Sequence, residues 1–169
     1  MTIDLSVLIV NWNVRDLLRD CLASLSAAAE AISLDEGCLR LARYNVEVYV
    51  VDNASADDSV AMVRAEFPWV MLLPSDVNLG FTRGNNLALQ HCRGRYALLL
   101  NPDTRVLDDA LTTLLDYAEA HPDVGVVGPR LVYGDGSPAP SRYRFPTLMT
   151  ALMESTRLEE CFPNNRWAR

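Results

Sequence analysis

Polar side chains follow three apolar runs that are typical of buried strands. Asp103 comes three residues after one run, Asp52 directly follows a second, and Asn11 and Asn13 end the third. Proline has no N–H to donate to a sheet and ends strands, so Pro102 places the Asp103 carboxylate just past a strand. If the runs belong to one sheet, these three polar endings share one crevice.

Carboxylates in this arrangement suit a nucleoside diphosphate. Asp52 can accept hydrogen bonds from a base edge or ribose hydroxyls, whereas Asp103 can ligate a hard divalent cation. Mg and Mn prefer oxygen ligands, and Mg is commonly held by one or two carboxylates together with substrate phosphates. Such an ion would offset the repulsion between Asp103 and a diphosphate, and it would stabilise a departing diphosphate.

The chain alternates short apolar runs with amphipathic segments, which favours an α/β fold with a mostly parallel, doubly wound sheet. Ligands of such sheets bind beyond the carboxyl ends of the strands. The predicted strands are 5–10, 46–51, 70–73, 96–100 and 124–127, and the predicted helices are 14–32, 59–66, 81–92 and 108–120.

The connecting segments carry weaker signals. Residues 33–45 are mixed and predict a loop, and Ser55 with Asp58 resembles a capping box ahead of the second helix. Residues 131–146 predict a hairpin or lid followed by extended chain, and 147–160 returns to helical composition.

Composition limits the classes of function. A chain of 169 residues, half of them hydrophobic, predicts one domain with a real core. The net charge of -7 and a pI near 4.7 argue against a nucleic-acid partner. The four cysteines are widely spaced and predict reduced thiols rather than zinc ligands or disulfides. Without a secretory leader or an apolar spanning stretch, a cytoplasmic protein is expected, with peripheral membrane contact left open.

Four ordered motifs carry a family resemblance that runs from about Ser6 to Pro146. In sequence they are VLIVNWN from Val7, VDNAS from Val51, NLGF from Asn78 with the following GNN, and LNPD from Leu100. The chain resembles the inverting family 2 glycosyltransferases with a GT-A, Rossmann-like fold. It is most similar to their rhamnosyltransferase-like branch, which builds bacterial surface polysaccharides.

The resemblance implies a role for each matching residue. Asn11 and Asn13 would line the nucleoside pocket and Asp52 would bind the base. Asn101 and Asp103 stand at the family's D-x-D-type motif, with Asp103 as the ligand of Mg or Mn. The residues that would border the nucleotide are Gly80, Arg83, Gly84 and Asn85.

The resemblance also implies the organisation and the partners of the chain. Residues 1–146 would be the nucleotide-sugar-binding domain, and 147–169 a helical extension at the start of a missing acceptor-binding part. The donor would be a dTDP- or UDP-sugar and the acceptor a glycan or a lipid-linked sugar in cell-envelope synthesis. The family's general base has no counterpart here, since Glu154, Glu159 and Glu160 do not match its motif. An uncovered apolar surface predicts self-association.

Other interpretations stay open from the residues. An Asp after a strand is often a turn former, and Asn101-Pro102-Asp103 could only open the next helix. A nucleotidyltransferase would require a basic, Gly-rich loop after the first strand, which residues 11–15 do not supply. A truncated or non-catalytic module would bind the donor without transferring the sugar.

Overall fold

A computed structural model describes residues 2–34 and 37–140. The strands are β1 (Leu5–Asn11), β2 (Ala31–Ser33), β3 (Cys38–Leu41), β4 (Tyr44–Asn53), β5 (Met71–Ser75) and β6 (Tyr96–Leu99). The helices are α1 (Arg15–Ala28), α2 (Ser59–Glu66), α3 (Gly80–Leu89) and α4 (Ala110–Ala120). The alternation of strands and helices confirms the predicted α/β class.

Within these residues the strands form one six-stranded sheet in the order β2-β3-β4-β1-β6, with β5 also paired to β4. Strand β1 runs parallel to β4 and β6, and β4 runs parallel to β5. The register sets Asn11 opposite Asp52 and Leu8 opposite Leu99. Because parallel strands end at the same edge, the polar residues that follow β1, β4 and β6 share the carboxyl edge of the sheet.

The core lies on both faces of β1 and β4. Val7 and Val48 belong to the cluster that contains the buried stripe of α1, namely Leu18, Cys21, Leu22 and Leu25. This stripe is buried because its apolar residues recur at helical spacing. On the other face, Leu8 and Val51 pack with Ala88 of α3. Burial on both faces explains why these two strands have nearly continuous apolar sequences.

A buried acidic side chain fastens the chain on the amino side of the sheet. Glu47 has no exposed surface, and its Oε1 accepts hydrogen bonds from Ser6 Oγ at 2.6 Å and from the Arg93 N–H at 2.7 Å. Arg93 also pairs with Glu47 Oε2 through Nη2 at 2.8 Å. The Gly94 N–H donates to Ser6 Oγ at 2.9 Å. The turn before β6 is therefore bound to β1 and β4.

Three local predictions are wrong for visible reasons. The helix predicted to reach residue 32 ends at Ala28, and β2 follows it. Residues 33–45 were expected as a loop, but β3 lies there and pairs antiparallel with β2 and with β4. Residues 124–127 form no strand, and Val126 is 90% exposed. Among the described residues no strand pairs with this short apolar run, so it gains too little burial to form a strand.

Two smaller expectations also change. Asp58 precedes α2 in a left-handed conformation with no side-chain capping bond, so the capping box is wrong. Asp57 accepts hydrogen bonds at the start of α2 instead, from the Ser59 N–H at 3.2 Å and from Ser59 Oγ at 2.6 Å. Trp12, whose aromatic side chain predicts a position partly in the core, is 56% exposed. Cys21 and Cys92 are free thiols, as predicted.

The chain divides into a compact unit over residues 1–127 and a second unit that begins at Gly128. In the second unit Val132 bridges Pro138, and the Tyr133 N–H donates to Ser137 O at 2.8 Å, which confirms the hairpin. The helical prediction for 147–160 and the acids Glu154, Glu159 and Glu160 lie outside the described residues. In the part of the chain that is described, no helix is both long and apolar enough to cross a membrane.

Candidate functional site

The centre of the carboxyl edge is a buried amide–carboxylate pair. Asn11 Nδ2 donates to Asp52 Oδ1 at 2.8 Å and to Ser55 Oγ at 3.2 Å. Asn11 is fully buried and Asp52 is 2% exposed. An ionised carboxylate only accepts hydrogen bonds, so it fixes the amide with its NH₂ group toward Asp52. Asn11 Oδ1 is then left without a hydrogen-bond partner among the described residues.

Ser55 joins the loops that follow β1 and β4. Its N–H donates to Asp52 Oδ2 at 2.9 Å, and its Oγ accepts from the Asn13 N–H at 3.0 Å. Asn13 Oδ1 accepts in return from the Ala56 N–H at 2.8 Å. Asn13 has φ 55°, a left-handed conformation that Asn adopts more readily than most residues. Asn11, Asn13 and Asp52 therefore belong to one hydrogen-bonded unit.

Asp57 extends this unit to the start of α1. Its Oδ2 accepts from the Arg15 N–H at 2.8 Å, one of the N–H groups that a helix leaves unpaired at its first turn. Partial burial opposes ionisation of Asp57, but the hydrogen bonds from Ser59 Oγ and from backbone N–H groups outweigh it and lower the pKa of Asp57. Ser55 ends the VDNAS motif and Asp57 follows it two residues later, yet only the folded structure shows that they connect the two loops.

A depression of about 500 Å³ lies beside these loops. Three aspartates, Asp16, Asp57 and Asp58, line it against one arginine, and neither Asp52 nor Asp103 does, so the net negative charge of its lining does not suit a diphosphate. Its lining residues are Asn13, Val14, Arg15, Asp16, Leu17, Asp57 and Asp58.

Helix α3 begins beside the end of β4 through a second buried amide. Asn53 Oδ1 accepts from the Leu79 N–H at 3.3 Å, and Asn53 Nδ2 donates to Gly80 O at 3.5 Å. Gly80 has φ +74°, a backbone conformation that side chains rarely tolerate. A side chain at Gly84 would meet Val10 Cγ1 at 2.9 Å. Gly84 therefore lets α3 approach the end of β1 closely.

The remaining α3 residues differ in what they can offer a ligand. Asn85 is 5% exposed, and its Nδ2 donates to Phe81 O at 2.9 Å within the helix. Arg83 is exposed and forms no ion pair within the described chain. Arg83 can therefore form an ion pair with an anionic ligand. The Asn85 amide already donates one hydrogen bond within its own helix.

The segment after β6 forms a tight turn that presents Asp103 to solvent. Asn101 O accepts from the Thr104 N–H at 3.2 Å and from Thr104 Oγ1 at 2.7 Å. Pro102 lies at the second position of this turn, where its fixed φ is favoured. Asn101 and Asp103 are exposed, and no hydrogen bond or ion pair engages the Asp103 carboxylate among residues 2–34 and 37–140.

The thiol of Cys21 lies beneath the same turn. Its Sγ donates to Asn101 O at 3.8 Å. Burial raises the pKa of Cys21 to about 12, and the negative charge of Asp103 adds to the shift against a hydrogen bond from Thr104. Cys21 is therefore a neutral thiol at physiological pH and supports the turn as a weak donor.

Asp52 lies at the end of β4 and Asp103 lies in the turn after β6, and both strands pair with β1. Strands in a sheet lie ~4.8 Å apart, so β4 and β6 are separated by roughly 10 Å. No group of three His, Cys, Asp or Glu side chains suited to a metal occurs among the described residues. A single exposed carboxylate fits an ion such as Mg or Mn that takes its other ligands from phosphates and water.

Comparisons with known proteins identify the same fold and family. Residues 6–167 match the family model described as Glycosyl transferase family 2. The N-acetylglucosaminyl-diphospho-decaprenol L-rhamnosyltransferase of Mycobacterium tuberculosis is 29% identical over 99% of this chain and 53% of its own length. The succinoglycan biosynthesis protein ExoO of Rhizobium meliloti is 33% identical over 58% of this chain and 28% of its own length.

Solved structures share the architecture at low sequence identity. S. aureus TarS 1–349 in complex with UDP-GlcNAc has a TM-score of 0.56 at 23% identity, covering 70% of this chain and 32% of that one. The mannosyltransferase PcManGT from Pyrobaculum calidifontis, in complex with GDP-Man and Mn2+, has a TM-score of 0.55 at 20% identity over 70% of this chain and 33% of that one. These likenesses confirm the GT-A fold.

The matches differ in how much of each protein they cover. The chain spans about half, 53%, of the length of the mycobacterial relative. The family match, by contrast, covers nearly the whole chain and includes all four motif segments. The chain therefore belongs to glycosyl transferase family 2.

Proposed function

We propose that this chain is the donor-binding part of an inverting glycosyltransferase for cell-envelope polysaccharide synthesis. It binds a dTDP- or UDP-sugar, and the sugar passes to a glycan or lipid-linked acceptor. The mycobacterial relative is named for L-rhamnosyl transfer to N-acetylglucosaminyl-diphospho-decaprenol, which supports rhamnose and a lipid-linked acceptor here. The observation that carries the proposal is that the strands leading into three of the four motifs, β1, β4 and β6, run parallel and therefore end at one edge of the sheet.

Each group at this edge has a role that its surroundings support. Asn11, Asn13 and Asp52 hold the nucleoside, because their loops are joined by hydrogen bonds and so present a fixed surface. Gly80 and Gly84 bring the backbone of α3 close to the nucleotide. Asn85 supports that helix from within.

The charge of the donor favours two different roles for Arg83 and for the turn after β6. The chain has a net charge of -7, so an anionic donor requires local positive charge. Arg83 supplies one cation from an exposed position. Asp103, with Asn101 beside it, would hold Mg or Mn. The ion, when bound, neutralises the diphosphate and stabilises it as a leaving group.

The transfer step also requires parts that the assigned residues do not provide. Inversion requires an acceptor hydroxyl that attacks the anomeric carbon while a base removes its proton. We place residues 1–146 in the donor domain and 147–169 at the start of the acceptor-binding part, where the family's base is expected. A lipid-linked acceptor would bring a cytoplasmic enzyme to the inner face of the membrane as a peripheral protein.

Titration calorimetry of the 169-residue chain with dTDP and UDP, with and without Mn, tests this proposal. We expect Mn to tighten nucleotide binding by about tenfold or more, worth ~1.4 kcal/mol, and Asp103→Asn to abolish that gain. The matched control is Asp109→Asn, since Asp109 precedes α4 without a side-chain capping bond. Equal affinity of the wild type and Asp103→Asn in Mn would contradict the metal role.

A donor-hydrolysis assay on the same protein separates an enzyme from a binding module. Slow, nucleotide-specific hydrolysis of a dTDP- or UDP-sugar would show that the reacting centre is assembled. Binding without hydrolysis would favour the module, and no binding of either nucleotide would refute the donor site.

A further inference from the structure

The turn that carries Asp103 is held from one side by α1. The Val106 N–H donates to Ser24 Oγ at 2.9 Å, and Arg105 forms an ion pair with Asp20. Asp20 and Ser24 are four residues apart, so they lie one above the other on the same face of α1. One helix face therefore contacts the segment that follows the turn.

Ser24 is well oriented for this contact. Its hydroxyl donates to Cys21 O at 2.6 Å, which leaves an oxygen lone pair free to accept from the Val106 N–H. Both residues are partly buried, and the Val106 side chain packs against the main core cluster. The hydrogen bond is thus partly shielded from water.

The turn is consequently fixed at both ends. On the strand side, the Leu100 N–H donates to Leu8 O of β1 at 2.9 Å, one residue past the end of β6. On the far side, the hydrogen bond from Val106 to Ser24 holds the chain to α1. Within the described residues nothing bonds to the Asp103 carboxylate, so the position of its side chain depends on the backbone between these two anchors.

We infer that Ser24 is a positioning residue for the Asp103 carboxylate, holding the turn where a divalent cation and a diphosphate can share it. This inference rests on the proposed function, because it assumes that Asp103 binds the cation. Metal ligation depends on small displacements, and loss of groups that orient a ligand typically weakens metal affinity by about 10–100-fold. Ser24 acts through the backbone and does not touch the donor.

The chain provides a matched control on the same helix. Ser26 is also partly buried, and its Oγ donates to Leu22 O at 3.2 Å within α1. Ser24→Ala and Ser26→Ala each remove one hydroxyl that bonds to the helix backbone. Only Ser24→Ala also removes the acceptor for the Val106 N–H.

The test is the ratio of the dTDP dissociation constants without and with saturating Mn, measured by calorimetry. We expect Ser24→Ala to reduce this ratio by about tenfold while the metal-free constant stays unchanged, and Ser24→Thr to restore it. Ser26→Ala should keep the wild-type ratio. A purely structural role would move the metal-free constant as well, because the nucleoside loops would loosen with the rest of the fold.

Three results would overturn the inference. They are equal ratios in Ser24→Ala and Ser26→Ala, an equal loss of affinity with and without Mn, and no effect of Mn on the wild type. The third result also refutes the metal role of Asp103, whereas the first two leave it standing.

If Ser24→Ala does not fold, variants of surface ion pairs on α1 can test the same inference. Asp20→Asn removes the ion pair to Arg105, whereas Asp16→Asn removes pairs to Arg15 and Arg19 elsewhere on α1. The inference requires a smaller Mn ratio in Asp20→Asn and an unchanged ratio in Asp16→Asn. Equal ratios in the two variants would overturn it.

Discussion

At the scale of single residues, the amide of Asn11 determines how the candidate site is held together. It neutralises no charge, yet it donates to Asp52 and to Ser55 from a fully buried position. A carboxylate that is 2% exposed is stable only if such donors replace the water it has lost. Asp52 is therefore an organiser of the two loops as well as the proposed contact for the base.

Asn11→Asp should be strongly destabilising, because it replaces the donor with a second carboxylate of nearly the same shape. We expect the free energy of unfolding to fall by about 3 kcal/mol at pH 7, the cost typical of an unpaired buried charge. The introduced carboxyl would have its pKa raised by burial and by the charge of Asp52. The penalty is thus full above that raised pKa and shrinks as the pH falls through it.

Urea denaturation of this variant and the wild type at several pH values between 8 and 5 measures the difference, because the two proteins differ in titration only at the new carboxyl and at the Asp52 carboxyl that it faces. Asn13→Asp is the control, since Asn13 is exposed and Asp keeps the acceptor for the Ala56 N–H. It should stay within ~0.5 kcal/mol of the wild type. A pH-independent deficit in Asn11→Asp would contradict the charge argument.

At the scale of elements, close approaches at two glycines position α3 and β6 against β1. A Cβ at Gly94 would lie 2.5 Å from Ser6 N and 2.7 Å from Leu5 C, both backbone atoms. At Gly84 the nearest atom would be Val10 Cγ1 at 2.9 Å, the end of a side chain. Backbone in a central strand cannot move aside, whereas a valine can adjust.

Gly94→Ala should therefore cost more stability than Gly84→Ala. Overpacking typically costs about 1–3 kcal/mol, and we expect Gly94→Ala at or beyond the upper end and Gly84→Ala near the lower end. Gly125→Ala is the control, because nothing lies within 4 Å of its Cβ position. Thermal unfolding of the three variants checks the order, and a Gly84→Ala variant less stable than Gly94→Ala would contradict it.

The elements also show what the sequence could predict. Strands β1 and β4 are buried on both faces, so their continuous apolar runs were unambiguous. The antiparallel pair β2 and β3 was missed because its strands are short, and Ala31 and Ile32 of β2 are exposed. The run 124–127 has the same composition as a buried strand, but composition does not show whether a neighbour exists to cover it.

In the candidate site, too, the sequence could predict some features and not others. The ends of β1, β4 and β6 were predicted to share an edge because parallel topology requires it, and the sheet confirms that placement. The contact of Ser24 with Val106 joins residues 82 positions apart in sequence. Such long-range hydrogen bonds follow from the packing of α1 on the sheet, which no local pattern specifies.

At the scale of the whole molecule, the residues that the structure describes cover the sheet unevenly. Leu99 lies opposite Leu8 in the register, yet Leu8 is fully buried with α3 whereas Leu99 is 54% exposed. In the described part of the chain β6 pairs only with β1, so it forms an edge of the sheet. An exposed edge strand with apolar side chains is a site where chains associate.

We expect concentration-dependent self-association through this edge, and Leu99→Lys should suppress it, because a charge on an edge strand resists pairing with a second chain. The control is Leu17→Lys, a substitution of a leucine on α1 that is 47% exposed. Static light scattering of the wild type should give a mean mass that rises with concentration. The Leu17→Lys variant should show the same rise. Leu99→Lys should keep the mass of a single chain. A wild type that remains monomeric in concentrated solution would contradict self-association, and equal association of both variants would place it on another surface.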